Sequence, residues 1–454
     1  MTSGIFQPED TIVALASAPG RGAIALVRLS GPSAFDIAAK HVRSFPVEAR
    51  VAHLCEVFDG VEKLDEVLVT LFPAPNSFTG DDTVEFSTHG GYLVPSSIVA
   101  ALTSSGARQA QPGEFTRRAV LNGKLDIIQA EAIGDLIDAS SHVMQRTAIR
   151  QLDGGLSRRL LNLRNDLLEL EALIAYDVDF PEEDDGPIPR TRIDNATNSV
   201  ISSLQLLLAT APAGELIRAG AVVVIAGPPN AGKSSLFNAL LGRSRAIVTE
   251  IPGTTRDALE AVMDSGKWPL RLVDTAGLRQ TEDRIEKLGI EVSERYLTSA
   301  HVVLACAEDK IGLEQTAALV RRHTEAPIVS VYTKSDLAAE SEEVEGLPGA
   351  VFVSAETGSG LRDLLGAIDN AIDADQAAIS PDLPILTSAR HRKALEIARI
   401  EVAAFSEAWR AQNLPITVAA VHLRTAVSEL EELIGAFEVD DVLDRVFSSF
   451  CVGK

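Results

Sequence analysis

Residues 227–234, GPPNAGKS, have the types and spacing needed to hold a nucleoside phosphate. They fit the pattern G-x-x-x-x-G-K-S, in which glycines let backbone N–H groups turn towards phosphate oxygens. The N-terminus of the helix that follows adds a favourable dipole. Lys233 would neutralise the β- and γ-phosphates, and Ser234 would ligate Mg²⁺. The motif predicts a nucleoside triphosphate site, although single matches also occur at ordinary strand-end turns.

Two further motifs carry groups suited to the phosphate end of a nucleotide. GTTRD (253–257) offers Thr255, which could reach Mg²⁺ and sense the γ-phosphate. LVDTAG (272–277) ends an apolar segment with Asp274, a carboxylate placed behind the metal, and Gly277, whose N–H can bond the γ-phosphate. Together with the first motif, they predict a phosphate and magnesium site.

Two later motifs predict which base is bound. TKSD (333–336) offers the carboxylate of Asp336 to the N1 and N2 protons of guanine, and SAETG (354–358) offers the Ala355 N–H to guanine O6. Thr333 stands where related guanine-binding motifs have asparagine. Because Asp336 still discriminates guanine, we predict GTP rather than ATP, bound with weaker affinity. Five motifs in this order, each after a strand-like segment, predict a guanine-nucleotide domain.

The predicted nucleotide site is large and comes from all five motifs. Its magnesium ligands are Ser234 and Thr255. Its GTP-binding residues are Asn230, Ala231, Gly232, Lys233, Ser234, Ser235, Thr249, Glu250, Ile251, Pro252, Gly253, Thr254, Thr255, Asp274, Thr275, Ala276, Gly277, Thr333, Lys334, Ser335, Asp336, Ser354 and Ala355.

The elements that must position these residues alternate between strand and helix patterns, while the flanking segments differ. The first part mixes β-branched runs with short helices, and a heptad-like stripe typical of one long helix follows. That stripe consists of Leu156, Leu160, Leu163, Leu167, Leu170 and Ile174. We predict an α+β domain, an all-α helical domain and an inserted α/β P-loop GTPase domain. The predicted bounds are 1–120 for the α+β domain, 121–215 and 377–454 for the helical domain, and 216–376 for the GTPase domain.

Composition limits the classes of function. The formal charge of −23 argues against a surface that binds nucleic acid non-specifically. Three widely separated cysteines make neither a disulfide framework nor a zinc site, which favours a reducing, cytoplasmic location. The longest apolar stretch in the chain is far shorter than a bilayer requires, and the first residues do not read as a secretory signal. We therefore expect no membrane association.

Across its whole length the chain resembles the MnmE (TrmE) family, GTPases that help to modify the wobble uridine of certain tRNAs. The segments that carry the resemblance are DTIVALASAPGRGAIALVRLSG (10–31), PNSFTGDDTVEF (75–86), HGG (89–91), QPGEFTRRAVLNGKLDIIQAEAI (111–133), DFPEED (179–184), GPPNAGKSSLFN (227–238) and CVGK (451–454). The resemblance implies a homodimer that acts on tRNA with an FAD-containing partner of the MnmG (GidA) family, in a heterotetramer or larger assembly.

The resemblance also implies a folate site in the N-terminal domain, at the dimer interface. The matching contacts are Arg28, Glu85, Lys124 and the terminal Lys454. The cofactor would be 5,10-methylene-tetrahydrofolate, with 5-formyl-tetrahydrofolate as an analogue. A carboxylate can pair with pterin donors and cations suit the glutamate tail. From composition alone, each of these residues would be a solvated surface charge.

Cys451 has two interpretations. The resemblance implies a thiol delivered to the folate pocket, able to attack or protect a one-carbon or uridine intermediate. The alternative is a buried cysteine that packs a helix against Phe447 and Phe450. Cys55 and Cys306 lie in apolar strand-like segments and are predicted to be core residues.

For hydrolysis, the resemblance implies Glu286 as the residue that handles the attacking water, since Leu278 follows DTAG where Ras-like enzymes have glutamine. Lys233 would be the second catalytic residue. Glu286 could instead form an ordinary pair on a helix surface, and the neighbouring Glu282 and Asp283 leave the register open.

The family also uses a potassium ion in place of an arginine finger. Its matching ligands are Asn230, Thr249, Ile251 and Thr254. A monovalent cation between phosphates neutralises developing negative charge, as an arginine would. We therefore expect hydrolysis that depends on potassium and is stimulated when two GTPase domains pair.

Two rival functions predict other sequence features. A ribosome-assembly GTPase would carry a basic RNA-binding module, which the charge of −23 does not favour. A trafficking GTPase would carry a basic amphipathic face or a lipidation motif. Folate binding would separate the modification enzyme from both.

Overall fold

A computed structural model gives the fold for most of the chain. It describes residues 10–179, 189–243, 259–264, 267–274, 296–337, 349–375, 384–411, 416–435 and 453. The chain divides into two compact units. The first contains Met1–Gly134 and Glu431–Lys454, and the second contains Asp135–Leu430.

The first unit is built on a largely antiparallel sheet. Its strands among the described residues are β1 (Ile12–Leu15), β2 (Ile24–Ser30), β3 (Val42–Arg43), β4 (His53–Asp59), β5 (Glu62–Phe72), β6 (Thr83–His89) and β7 (Arg108–Gln109). Their spatial order is β3-β4-β5-β6-β2-β1-β7, and β1 and β7 run parallel. The helices are α1 (Ala34–Ala39), α2 (Leu93–Ser104), α3 (Glu114–Leu121) and α4 (Ile127–Ile137).

The two faces of this sheet have different roles. On β2, Val27 and Leu29 are fully buried against α1 and α2, while Ile24 is 71% exposed on the other face. Side chains alternate between faces along a strand, so Arg28 lies on the same open face as Ile24. The sheet therefore has one core face and one face that displays polar and apolar side chains together.

The second unit begins and ends with helices. These are α5 (His142–Leu152), α6 (Gly155–Asp179), α7 (Arg190–Leu208) and α8 (Ala211–Ala219), followed later by α12 (Ala389–Ala411) and α13 (Ile416–Ile434). The predicted leucine stripe on α6 is confirmed, because all six of its residues are at most 1% exposed. Helix α7 packs against α6 and α12. The run Arg190–Ala219 is long and apolar enough to cross a membrane, but half of its most apolar window is buried inside the protein.

Between these helices lies a second sheet, with strands β8 (Ala221–Ala226), β9 (Leu259–Asp264), β10 (Pro269–Asp274), β11 (Val302–Ala307), β12 (Ile328–Tyr332) and β13 (Val351–Phe352). Among the described residues the order is β13-β12-β11-β8-β10-β9, and only β9 runs antiparallel. The helices of this part are α9 (Lys233–Arg243), α10 (Lys310–Val320) and α11 (Leu361–Asp375). Strand order reverses at β8, and ligands of such sheets bind beyond the carboxyl ends of the strands at that point.

Candidate functional site

The loop that follows β8 has a backbone fixed by close packing. A Cβ atom at Gly227 would lie 2.3 Å from the carbonyl oxygen of Cys306, so only glycine fits between β8 and β11. Asn230 and Gly232 adopt left-handed backbone angles, with φ of 63° and 73°. Helix α9 then begins at Lys233. Such a loop presents backbone N–H groups at a helix N-terminus, which is an anion-binding arrangement.

Lys233 and Ser234 extend this loop towards a ligand. Lys233 is 8% exposed, and its Nζ donates to the carbonyl oxygen of Pro228 at 2.7 Å, across the loop. The Ser234 hydroxyl donates to Oδ2 of the fully buried Asp274 at 2.7 Å. A hydroxyl backed by a carboxylate is a hard oxygen donor set of the kind that Mg²⁺ prefers. These residues therefore fit a magnesium–nucleotide ligand.

Cys306 lies beneath the phosphate loop in β11 and is fully buried. The pKa of its thiol is raised to about 12, mainly by burial, with the nearby Lys233 ammonium acting to lower it and Asp274 acting to raise it. Cys55 is also buried, in β4. Both cysteines are core residues, as the sequence predicted.

The TKSD loop is tied to the strands on either side of it. The backbone N–H and the hydroxyl of Thr333 both donate to the carbonyl oxygen of Ala307, at 2.9 and 3.2 Å. The Ser335 N–H donates to the carbonyl oxygen of Val353 at 3.1 Å. These bonds leave Asp336 exposed at the edge of the sheet. Thr333 also packs beside the phosphate loop, because its Cβ lies 3.8 Å from the Cβ position of Gly232.

The SAETG loop is held by its own buried serine. The hydroxyl of Ser354, a fully buried residue, accepts from the Thr357 N–H at 3.1 Å, and the Ser354 N–H donates to the Ser359 carbonyl at 3.1 Å. Gly360 closes this turn at a φ of 72°, and a Cβ there would lie 1.8 Å from the Phe352 carbonyl oxygen. No sequence motif pointed to Gly360, because only the tertiary packing gives this glycine a role. The turn fixes the backbone around Ala355.

The predicted nucleotide residues that the structure describes lie at or after the carboxyl ends of β8, β10, β12 and β13. They are Asn230, Ala231, Gly232, Lys233, Ser234, Ser235, Asp274, Thr333, Lys334, Ser335, Asp336, Ser354 and Ala355. The other predicted residues of this site lie outside the described residues. They are Thr249, Glu250, Ile251, Pro252, Gly253, Thr254, Thr255, Thr275, Ala276, Gly277 and Glu286.

A second polar site lies on the open face of the first sheet. Arg28 and Glu85 are directly opposite on β2 and β6, and Nε and Nη2 of Arg28 lie 2.9 and 2.7 Å from Glu85 Oε1. The two side chains are only 18% and 23% exposed. The guanidinium carbon of Arg28 lies 5.3 Å from the ring centroid of Phe78 and 5.6 Å from that of Phe115. A charged pair beside aromatic rings suits a flat, polar heterocycle such as a pterin.

Helix α3 supplies Phe115, and a buried ion-pair network fixes where this helix begins. Glu114 is 2% exposed and lies 2.7 Å from Arg108 and 3.1 Å from Arg118. Burial alone would raise the pKa of Glu114, but hydrogen bonds from Arg108 and the Gln111 backbone, together with the charges of the two arginines, outweigh burial and lower the pKa. QPGEFTRR is part of a segment that carries the family resemblance, but nothing in the sequence indicated this ion-pair network.

The other predicted folate residues are only partly described. Lys124 Nζ donates to the Pro75 carbonyl at 3.0 Å, at the surface. Cys451 and Lys454 lie outside the described residues, but Gly453 is buried at a φ of 100°. A Cβ at Gly453 would lie 2.2 Å from the carbonyl oxygen of Leu15, on the strand that pairs with β2. Gly453 thus lies against β1, the strand next to the one that carries Arg28.

Another feature that the sequence did not indicate concerns His89 in the HGG segment. Asp65 accepts from the His89 N–H at 2.9 Å and from its Nδ1 at 2.8 Å. Burial raises the pKa of Asp65, but these two bonds, together with a backbone bond from Glu66 and the charge of His89, outweigh burial and lower the pKa. The HGG turn also packs tightly, because a Cβ at Gly90 would lie 2.1 Å from the Gly22 carbonyl oxygen. His89 is therefore held in one orientation at the end of β6.

Comparison with known proteins covers both units. A family model described as the MnmE helical domain matches residues 127–451, and one described as the GTP-binding protein TrmE N-terminus matches residues 11–124. A tRNA modification GTPase MnmE from Moorella thermoacetica is 39% identical over 466 residues, covering 98% of this chain and 100% of the relative. The protein of the same description from Aquifex aeolicus is 38% identical over 451 residues, with 98% and 100% coverage.

Among solved structures, the G domain of the T. maritima FeoB iron transporter is 27% identical and covers 33% of this chain and 98% of its own. Its TM-score of 0.27 is too low to support a structural comparison. The two family models, with the two sheets and the helices described above, confirm the predicted fold class. Because the relatives match over nearly the whole length of the chain, it belongs to the MnmE (TrmE) family of tRNA modification GTPases.

Proposed function

We propose that this GTPase depends on potassium and acts with an FAD-containing partner of the MnmG (GidA) family on certain tRNAs. Together they would modify C5 of the wobble uridine, using the one-carbon unit of 5,10-methylene-tetrahydrofolate. One observation carries the proposal. This chain, a member of the family, has a phosphate loop whose Ser234 is bonded to Asp274, and it has a separate ion pair between Arg28 and Glu85 on the first sheet.

In the nucleotide site, Lys233 would place positive charge against the β- and γ-phosphates, and Asp336 would accept the N1 and N2 protons of guanine. Ser234 and Thr255 would hold Mg²⁺. A potassium ion would be held by Asn230, Thr249, Ile251 and Thr254. The exposed Asn230 at the rim of the loop supports this part, since an amide oxygen is a suitable ligand for a hard cation. Bound cations would supply charge that stabilises the transition state, and Glu286 would orient the attacking water.

In the folate site, Glu85 would accept hydrogen bonds from the pterin, while Arg28 holds the Glu85 carboxylate in place. Lys124 and Lys454 would pair with the glutamate tail. Cys451 would be a reactive thiol beside the one-carbon unit, and packing of its side chain is the alternative. The burial of Gly453 against Leu15 supports a C-terminal tail that belongs to this site.

Further parts of the proposal concern assembly and location. The open face of the first sheet exposes Ile24, Leu54 and Leu68, of which the last two are cross-strand neighbours. Such a row of apolar side chains supports a homodimer formed through the N-terminal domain. The tRNA and the partner protein would then bind this dimer in the cytoplasm.

The test of the GTPase part is GTP turnover in potassium buffer and in sodium buffer of equal ionic strength. We expect strong stimulation by potassium in the wild type, and its loss in Asn230→Ala. The control is Asn238→Ala, an exposed asparagine on α9 that is not in the loop. Equal rates in both salts would refute the potassium dependence.

The test of the modification part is the appearance of modified wobble uridine when the chain, the partner and tRNA are incubated with and without methylene-tetrahydrofolate. We expect product only with the folate, and none with Glu85→Gln. Product without any folate would refute the one-carbon source while leaving the potassium result unaffected.

A further inference from the structure

Glu308, a residue outside every nucleotide motif, lies at the nucleotide site. It follows β11 directly, and its Oε1 lies 2.6 Å from Nζ of Lys334 in the TKSD loop. The side chains are 45% and 39% exposed, so the pair lies at the edge of the site rather than in the core. The neighbouring Asp309 has a different task, because its carboxylate caps α10 by accepting from the Gly312 N–H.

Lys334 has an unusual backbone conformation and a side chain that reaches the phosphate loop. Its φ of 54° is left-handed, which is unfavourable for a residue with a Cβ atom. Its side chain also spans the site, because Cε lies 3.9 Å from the Cβ position of Gly232 in the phosphate loop. The Glu308 carboxylate therefore fixes the far end of a side chain that covers the phosphate loop.

Two successive residues at the end of β11 hold two successive residues of the TKSD loop. Ala307 accepts the N–H and the hydroxyl of Thr333, and Glu308 pairs with Lys334. The path of the backbone through these two residues sets the position of Asp336, two residues further on, and so where its carboxylate would meet a guanine base. The Thr333 hydroxyl is already bonded to Ala307 of β11. Among the described residues, the Glu308–Lys334 pair is therefore the side-chain contact that holds the TKSD loop next to the phosphate loop.

We propose that Glu308 is a positioning residue for guanine recognition, which acts by holding Lys334 and, through it, Asp336. General electrostatics gives the opposite expectation. A nucleoside diphosphate is a polyanion, so removing a nearby carboxylate should strengthen its binding to the protein. Weaker binding after neutralisation of Glu308 would therefore be specific to a positioning role. The proposal rests on the role proposed above for Asp336 but on neither potassium nor tRNA, so it can fail while the potassium dependence and the tRNA reaction still hold.

The experiment measures dissociation constants of the full chain for GDP and for IDP, which lacks the 2-amino group that Asp336 would bind. In Glu308→Gln we expect GDP affinity to fall about threefold, the range of an exposed ion pair, while IDP affinity changes less. The preference for GDP over IDP should therefore decrease. Glu308→Asp keeps the charge and should retain most of the preference.

Two controls make the result specific. Glu314→Gln removes an exposed carboxylate from α10 in the same domain and should leave the preference unchanged. In a Lys334→Met background, Glu308→Gln should have no further effect, because the partner is already absent. Tighter GDP binding in Glu308→Gln, or equal loss of GDP and IDP affinity, would overturn the proposal. A wild-type chain without any preference for GDP would overturn it together with the assignment of Asp336.

Discussion

Two glycines six residues apart allow a matched test of how the SAETG turn is built. Gly360 has a φ of 72°, and an added Cβ would lie 1.8 Å from the Phe352 carbonyl oxygen and 2.9 Å from its carbon. Gly366 lies inside α11, and an added Cβ would meet nothing within 4 Å. The same chemical change, one methyl group, should therefore have opposite effects at the two positions.

The size of each effect can be worked out from these contacts. An alanine at Gly360 incurs the left-handed conformation, about 1–2 kcal/mol, and overpacking against a backbone that cannot rotate away, about 1–3 kcal/mol. Gly360→Ala should lower the free energy of unfolding by about 2–5 kcal/mol in total. Gly366→Ala should raise it by about 0.5–1 kcal/mol, because glycine is unfavourable in a helix interior.

The assay is urea unfolding followed by the fluorescence of Trp268 in a Trp409→Phe background, since the chain has only these two tryptophans. Trp268 reports the relevant part of the fold, because it shares a core with Leu361 and donates to Asp373 of α11 at 3.0 Å. Gly360→Ala should also weaken GDP binding, since the turn positions Ala355. Wild-type stability and GDP affinity in Gly360→Ala would refute the packing argument.

Three further predictions follow from the charges and thiols. Glu114→Gln should destabilise the first unit by about 3 kcal/mol, because it leaves two arginines beside a neutral amide. Since the folded pKa of Glu114 is lowered, its contribution is complete above about pH 4.3 and is lost as the pH falls through the folded value. The gap between wild type and variant, from denaturation at several pH values, should therefore shrink only in acid, and a gap that narrows near neutral pH would contradict this. Glu85→Gln and Arg28→Met should each weaken binding of 5-formyl-tetrahydrofolate at least about tenfold by calorimetry, whereas Lys63→Met, an exposed cation on β5, should not. Cys306 should resist iodoacetamide at pH 8 in the native chain, as its thiol is buried with a pKa raised to about 12, and its early alkylation by mass spectrometry would be evidence against that burial.

Local patterns explain which features of the fold the sequence predicts correctly. The stripe from Leu156 to Ile174 predicts a buried helix face because every third or fourth residue of a helix shares one side, and all six residues are buried on α6. Cys306 is predicted in a core strand because its neighbours are continuously apolar, and β11 is buried throughout. These properties depend on residues close in sequence, which is why the sequence reveals them.

The sequence by itself determined the motifs, their order and the family, since phosphate and base recognition require particular residue types at short spacings. The tertiary structure alone decided which distant residues meet. Arg28 pairs with Glu85 across 57 positions, and Gly453 packs on Leu15 near the other end of the chain. Glu308 belongs to none of the sequence motifs. It nevertheless contacts Lys334, because β11 and β12 are parallel neighbours whose carboxyl ends lie side by side. These contacts join residues that are far apart in the chain, so they depend on the order of the strands and on packing over the whole domain rather than on a short pattern.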